Sequence, residues 1–197
     1  MARIKIDKNS SRKEVIVSKA AGLFRERGFK AASMRDLAES VGVEAASLYN
    51  HIKSKTELLH EICFGVANRF MHKMDEVESS SIPAIEKVEE LIRFHIDEMI
   101  NHYEEVYVSD REWKHLSDPY LSNFQTQRRM YRKRFAAIIE AGIRNKEIKN
   151  IDAPTAVLIL LHAIGGIESW HRSTQKINAS NLTDNMITIL VGGLELK

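Results

Sequence analysis

Apolar residues at Ile16, Ala20, Leu23 and Phe24 recur at the i, i+4, i+7, i+8 spacing of one helical face, predicting a helix over Arg12 to Arg27. Gly28 supplies its stop, because a residue without Cβ takes the left-handed turn that ends helices. Ser33 opens a second helix as N-cap, with Asp36 three residues on able to close a capping box. Met34, Leu37, Ala38 and Val41 form its inward face, and Gly42 ends it. A third, short helix is expected from Glu44 to Asn50. Two helices joined by so tight a glycine-containing turn have helix-turn-helix form, in which the second helix of the pair lies in the major groove. Ser54-Lys55-Thr56-Glu57 is a further capping box, starting a fourth helix that runs into the seventies.

The run Ser79-Ser80-Ser81-Ile82-Pro83 breaks the pattern, since serines favour caps and turns and proline suits a helix's first turn. Beyond it, Ile85, Val88, Leu91, Ile92, His95, Ile96 and Met99 mark another helix, and a further one is expected through Trp113 and Leu116. Asp118-Pro119 caps a long helix through Ala141, and Asp152 with Pro154 does the same for the next. A last helix is expected from Asn181 to Val191. The chain therefore reads as all-α, with a three-helix head over residues 1–55 and a helical bundle over 56–197. Only 9 Gly and 3 Pro in 197 residues agree with long helices rather than a sheet with many tight turns.

Charge sharpens this division. Residues 1–60 carry 12 basic against 7 acidic side chains, and the remainder 17 against 20, so a net charge of +2 conceals a basic head and an acidic body. That asymmetry suits a head facing a polyanion. One cysteine, Cys63, excludes an intramolecular disulfide, and residues 1–20 lack the apolar core of a secretory signal, so a cytoplasmic location is expected. The most apolar stretch, Ala156 to Ile167, is shorter than the roughly 20 residues a bilayer needs, so no membrane partner is expected.

Gly28-Phe29, Ser33 to Ala38 (SMRDLA), Val41 to Val43 (VGV) and Ser47 to Leu59 (SLYNHIKSKTELL) together closely resemble the signature of TetR-family regulators. Asn50 and Ile52 stand where that family usually has an aromatic pair around the histidine, which changes contact details and not the class. The resemblance implies a transcriptional regulator that binds double-stranded DNA as a homodimer, and most directly a repressor released from a palindromic operator by a small ligand. The residues agree with it on physical grounds. Leu48 and Ile52 can bury the third helix against Leu37 and Val41, leaving outward positions to face DNA. Tyr49, His51, Lys53 and Lys55 are candidate phosphate contacts, supplemented by free N–H groups at the Ser54 cap. Glu44, Ala45, Ser47 and Asn50 are candidates for reading bases, Asn50 an adenine and Ala45 a thymine methyl. Ser33 and Arg35 of the second helix belong to the same set.

In the resembled family the last two helices dimerise as a four-helix bundle, which directs attention to Leu160, Ile164 and Ile167, and to Ile187 and Leu190 of the final helix. Residues 155–167 are apolar on nearly every face, so such a helix needs cover on two sides; a merely central helix is the alternative. Candidate effector contacts are Phe94, Met99, Tyr103, Trp113, Leu116, Phe124, Tyr131, His162 and Trp170, each of which also suits plain core. The segments around Trp113 and from Ile167 to Arg172 are similar to family members that sense acyl-CoA thioesters, and the basic run Arg128 to Arg134 suits CoA phosphates or a solvated face. Other hydrophobic effectors remain open, and no cofactor is implied. A competing enzyme reading uses the Glu-x-x-His pairs Glu57/His60 and Glu112/His115 as di-iron ligands; it lacks the two further carboxylates such a site needs.

Overall fold

The computed structural model describes residues 12–50, 52–174 and 177–196. It contains α1 (Arg12–Arg27), α2 (Met34–Val41), α3 (Ala45–Tyr49), α4 (Lys55–Ser79), α5 (Ala84–Asn101), α6 (Tyr103–Arg111), α7 (Tyr120–Arg144), α8 (Ala153–Gly165), α9 (Ile167–Arg172) and α10 (Ala179–Leu194). No strand occurs among the described residues.

Local chemistry sets most helix boundaries. Gly28 and Gly42 adopt φ of 77° and 74°, the left-handed conformation that a Cβ would disfavour, and they end α1 and α2. The Ser33–Asp36 box is complete: the Ser33 hydroxyl accepts from the Asp36 amide at 3.1 Å, and the Asp36 carboxylate accepts from the Ser33 amide at 2.9 Å. Asp152 caps α8 by accepting from the Thr155 amide, and Asn178 caps α10 by accepting from the Asn181 amide. The expected helix through Trp113 and Leu116 is instead α6 followed by a separate 3₁₀ turn, Trp113–His115, with Leu116 as its C-cap.

The chain forms two compact units, Met1–Ala67 with Glu104–Phe124, and Asn68–Tyr103 with Gln125–Lys197. In the first, the inward faces of α1, α2 and α3 close around Ile16, Phe24, Leu37, Leu48 and Ile52, joined by Leu58 and Leu59 of α4. Val108, Leu116 and Phe124 complete the same core. The second unit is built around α5, against which α8, α9 and α10 pack. Glu98, a deeply buried charge, is held in two-pronged fashion by the Arg69 guanidinium at 2.9–3.1 Å, the pairing a buried carboxylate requires. The end of the chain is tied down where the Lys149 amide donates to the Leu194 carbonyl and the Leu196 amide to the Glu147 carbonyl.

Ala153–Arg172, taken as one run of 20 residues, is long and apolar enough by length and composition to cross a membrane, a correction to the shorter stretch read from sequence. Its inward residues Val157, Leu160, Ile164 and Ile167 lie in the core, whereas Leu158 and Ile159 are more than half exposed.

Candidate functional site

Leu48 and Ile52 have no exposed surface, which fixes the orientation of α3: its buried side is clamped into the core of the first unit and its other side is free. On that free side stand Tyr49, 50% exposed, and Asn50, with Glu44 at the start of the helix and Ser47 half-buried. Arg35 and Lys53 are exposed nearby in sequence, and Ser33 lies at the α2 cap. Rigid support with outward polar side chains is what groove reading requires. His51 lies outside the described residues, as does the side chain of Ala45.

Two expectations for phosphate contact need correction. The Lys55 ammonium donates to three backbone carbonyls, those of Phe29 at 2.7 Å, Lys30 at 3.1 Å and Ala32 at 2.7 Å, and lies 4.6 Å from the centre of the Phe29 ring. An ammonium has three donors, so Lys55 has none left for a phosphate. It locks the α1–α2 turn, which Phe29 further anchors by packing edge-on to Phe24 and stacking on His115. At the α4 N-terminus the Glu57 amide donates to the Ser54 hydroxyl, while the Glu57 carboxylate takes the Lys53 amide at 2.7 Å. The Glu57 amide at the Ser54 cap is thus occupied, and the Glu57 carboxylate beside it repels phosphate.

In the second unit a polar pair sits among aromatic rings. His95 Nε2 and the Tyr131 hydroxyl are 2.8 Å apart, and Phe70 packs edge-on to both rings and to Phe94. Burial pulls the His95 imidazole down to about 3 and pushes the Tyr131 phenol up, so both are uncharged near neutrality. The folded His95 therefore titrates below its ordinary value of 6.5. Between those two values an unfolded chain binds a proton that the folded chain does not, so stability present above pH 6.5 is lost as pH falls towards 3. At about pH 5 the loss from this residue is expected to be about 1 to 2 kcal/mol, allowing for residual solvent access. Urea melts of wild type and His95→Gln at about pH 7.5 and about pH 5 check this; equal losses in the two proteins would contradict a buried neutral His95.

A groove of about 850 Å³ opens between α4 and α5 of this unit, lined by Asn68, Arg69, His72, Lys73, Glu76, Glu90, Arg93, Phe94 and Asp97. Phe94 thus joins the groove to the aromatic cluster through Phe70.

The expected effector residues divide. Met99, Tyr103 and Tyr131 are buried and Phe94 half-buried in the second unit; Tyr103 stacks on His171 at 4.0 Å, and His171 Nε2 contacts the Met99 carbonyl at 2.7 Å. Trp113, Leu116 and Phe124 instead belong to the core of the first unit. His162 is exposed with Nδ1 on the Leu158 carbonyl, and Trp170 donates to the Ile177 carbonyl. In the basic run, Arg134 is paired with Asp75 and Glu78, and Arg129 donates to Thr126. The sequence does not single out Phe70, and it places His95 only within an apolar helical stripe, the signal that could have marked it as an effector contact.

For dimerisation, Leu160, Ile164 and Ile167 are each 2% exposed, so they face their own protomer's core, and Ile187 is nearly buried. Leu190 is half-buried. The outward apolar residues of these helices are Leu158 and Ile159 of α8 and Ile189 of α10, the last 70% exposed. Of the residues of the di-iron reading, the two carboxylates have partners outside their pairs, Glu57 in the Lys53 amide and Glu112 in the Phe29 amide, while His115 lies against Glu112. Among the described residues, no group of three or more His, Cys, Asp or Glu could hold a metal ion.

Comparison with known proteins agrees with this architecture. Residues 16–62 match the family described as bacterial regulatory proteins, tetR family, and residues 81–194 match the tetracyclin repressor-like C-terminal domain. The chain is 26% identical over 190 residues to the HTH-type transcriptional repressor KstR2 of Rhodococcus jostii, covering 94% of this chain and 92% of that protein. Among solved structures, the ketosteroid transcriptional regulator KstR2 of Mycobacterium tuberculosis superposes with a TM-score of 0.87 at 23% identity, over 99% of this chain and 100% of that one. AibR, solved in complex with isovaleryl coenzyme A and operator DNA, gives 0.79 at 20% identity, over 92% of this chain and 98% of that one. With a matched head, a matched C-terminal domain and an outward-facing third helix, the chain belongs to the TetR family and is a DNA-binding transcriptional regulator, not an enzyme.

Proposed function

We propose that this regulator is a cytoplasmic, homodimeric repressor that holds a palindromic operator until a hydrophobic effector, an acyl-CoA thioester by preference, releases it. The observation that carries the reading is the pairing of a rigidly seated α3 with an aromatic-walled polar pair inside a separate unit. Tyr49 and Lys53 contact phosphates, while Asn50 and Ser47 read base edges, with Arg35 assisting from α2. The outward apolar residues of α8 and α10 support a second copy as their cover, and the twofold operator follows from that symmetry. The acyl-CoA preference draws on AibR, described with isovaleryl coenzyme A, and on the sequence similarities around Trp113 and Ile167. Release follows from linkage: an effector that binds better to dimers with wrongly spaced heads lowers operator affinity by the same factor.

The test is displacement of a duplex recovered by selection, followed by fluorescence anisotropy during addition of isovaleryl-CoA, longer acyl-CoAs and free CoA. Release by an acyl-CoA but not by free CoA is expected; retention of DNA under all of them contradicts the effector class. Asn50→Ala is expected to flatten base preference at one position by about 1 to 3 kcal/mol, whereas Tyr49→Ala weakens all duplexes alike. Competition with single-base operator variants checks the distinction.

A further inference from the structure

The pair at the centre of the second unit has the chemistry of a recognition site. His95 is enclosed deeply enough to stay uncharged, yet its side chain keeps solvent-accessible surface, as do those of Phe70 and Phe94. A side chain that is enclosed yet accessible is within reach of a ligand. Hydrogen bonding beside the pair is incomplete. Gln127 lies one helical turn before Tyr131 on α7, and its Oε1 is buried without a partner. A side-chain amide left without a partner inside a protein calls for one from elsewhere, and turned over it offers an N–H to a carbonyl oxygen. From the groove between α4 and α5 a contiguous aromatic path runs inward: Phe94 lines the groove, Phe70 packs against Phe94 at 5.1 Å, and His95 packs against Phe70 at 4.5 Å.

Resting on the effector-sensing reading above, we infer that His95 and Tyr131 are the specificity-determining contact for the effector, selecting an uncharged oxygen-bearing group that arrives past Phe94 and Phe70. Each partner can redirect its bond: the phenol donates to a carbonyl oxygen, and the imidazole, once freed, accepts from a hydroxyl or donates through its N–H. A carboxylate is disfavoured there, because Arg134, the cation that acts on the Tyr131 phenol, is already paired with Asp75 and Glu78, and a neutral hydrogen-bonding site does not repay a carboxylate's desolvation. An ester, thioester or ketone carbonyl matches, with its alkyl part against Phe70 and Phe94. The groove itself mixes Arg69, Lys73 and Arg93 with Glu76, Glu90 and Asp97, so selection by charge belongs to the interior rather than to the mouth.

Calorimetry of the full-length protein with methyl octanoate, octanoate, nonane and octanoyl-CoA tests this. Wild type is expected to bind methyl octanoate more tightly than octanoate. Tyr131→Phe, which removes only the hydroxyl, is expected to weaken methyl octanoate about tenfold while leaving nonane unchanged. His95→Leu should act in the same direction, with circular dichroism confirming the fold of both variants. If Tyr131→Phe weakens both probes alike or neither, or if wild type binds octanoate as tightly as the ester, the inference is overturned while effector sensing stands. If wild type binds none of the four probes, the effector-sensing reading fails and the inference with it.

Discussion

Ile159→Glu combined with Ile189→Glu is expected to convert the protein to a folded monomer that no longer holds its operator. Both residues are more than half exposed on the protomer, so a carboxylate at either position costs little in an isolated chain. In a dimer that covers α8 and α10 the same groups are buried without partners and repeated by symmetry. That costs about 4 kcal/mol or more, roughly a thousandfold in dimer affinity. Operator binding falls with it, because each half-site alone supplies only half of the contacts. Analytical ultracentrifugation beside a thermal melt reads the outcome: monomers with an unchanged melt are expected, and dimers persisting at low micromolar concentration would place the interface elsewhere. A charge at Ile164 cannot make this distinction, since its side chain is 2% exposed within its own protomer and the substitution would attack the fold itself.

Lys55→Met is expected to lower stability by about 2 to 3 kcal/mol while leaving the salt dependence of DNA binding unchanged. The ammonium closes three carbonyls of the α1–α2 turn, and removing it leaves partly buried acceptors without a donor in the segment that seats α2 and α3. Lys53→Met is expected to do the reverse. Its side chain is exposed, so the melt stays put while the slope of log affinity against log salt falls by about one phosphate's share. Denaturant titrations and binding at several salt concentrations separate the two lysines. A reduced salt slope for Lys55→Met at unchanged stability would return that residue to the phosphate contacts.

Features governed by near neighbours were legible in the sequence. The Ser33–Asp36 box, the stops at Gly28 and Gly42, and the cap at Asp152 depend on residues within one turn, and short-range spacing announces them. The burial of Leu48 and Ile52 followed from the helix-turn-helix pattern for the same reason. Rotation about a helix axis was not legible where the pattern carried no phase. Residues 155–167 are apolar nearly all round, so nothing in their spacing distinguishes inward Leu160 and Ile164 from outward Leu158 and Ile159. Lys55 escaped because its partners lie 23 to 26 residues upstream and are backbone atoms, which no side-chain motif encodes. Trp113, Leu116 and Phe124 were placed with the effector because they follow the head in sequence, whereas the chain returns them to the head's core. Tyr131 was found inside a charged run, yet its meaning depended on His95 from another helix, and only the fold joins them.

Selection from a pool of random duplex DNA by the full-length protein, sequenced at two salt concentrations, tests the central claim that this chain is a dimeric reader of DNA. An enriched palindrome whose half-sites repeat at one spacing, with base preferences that persist at the higher salt, is the expected result. Absence of enrichment at either concentration would contradict it.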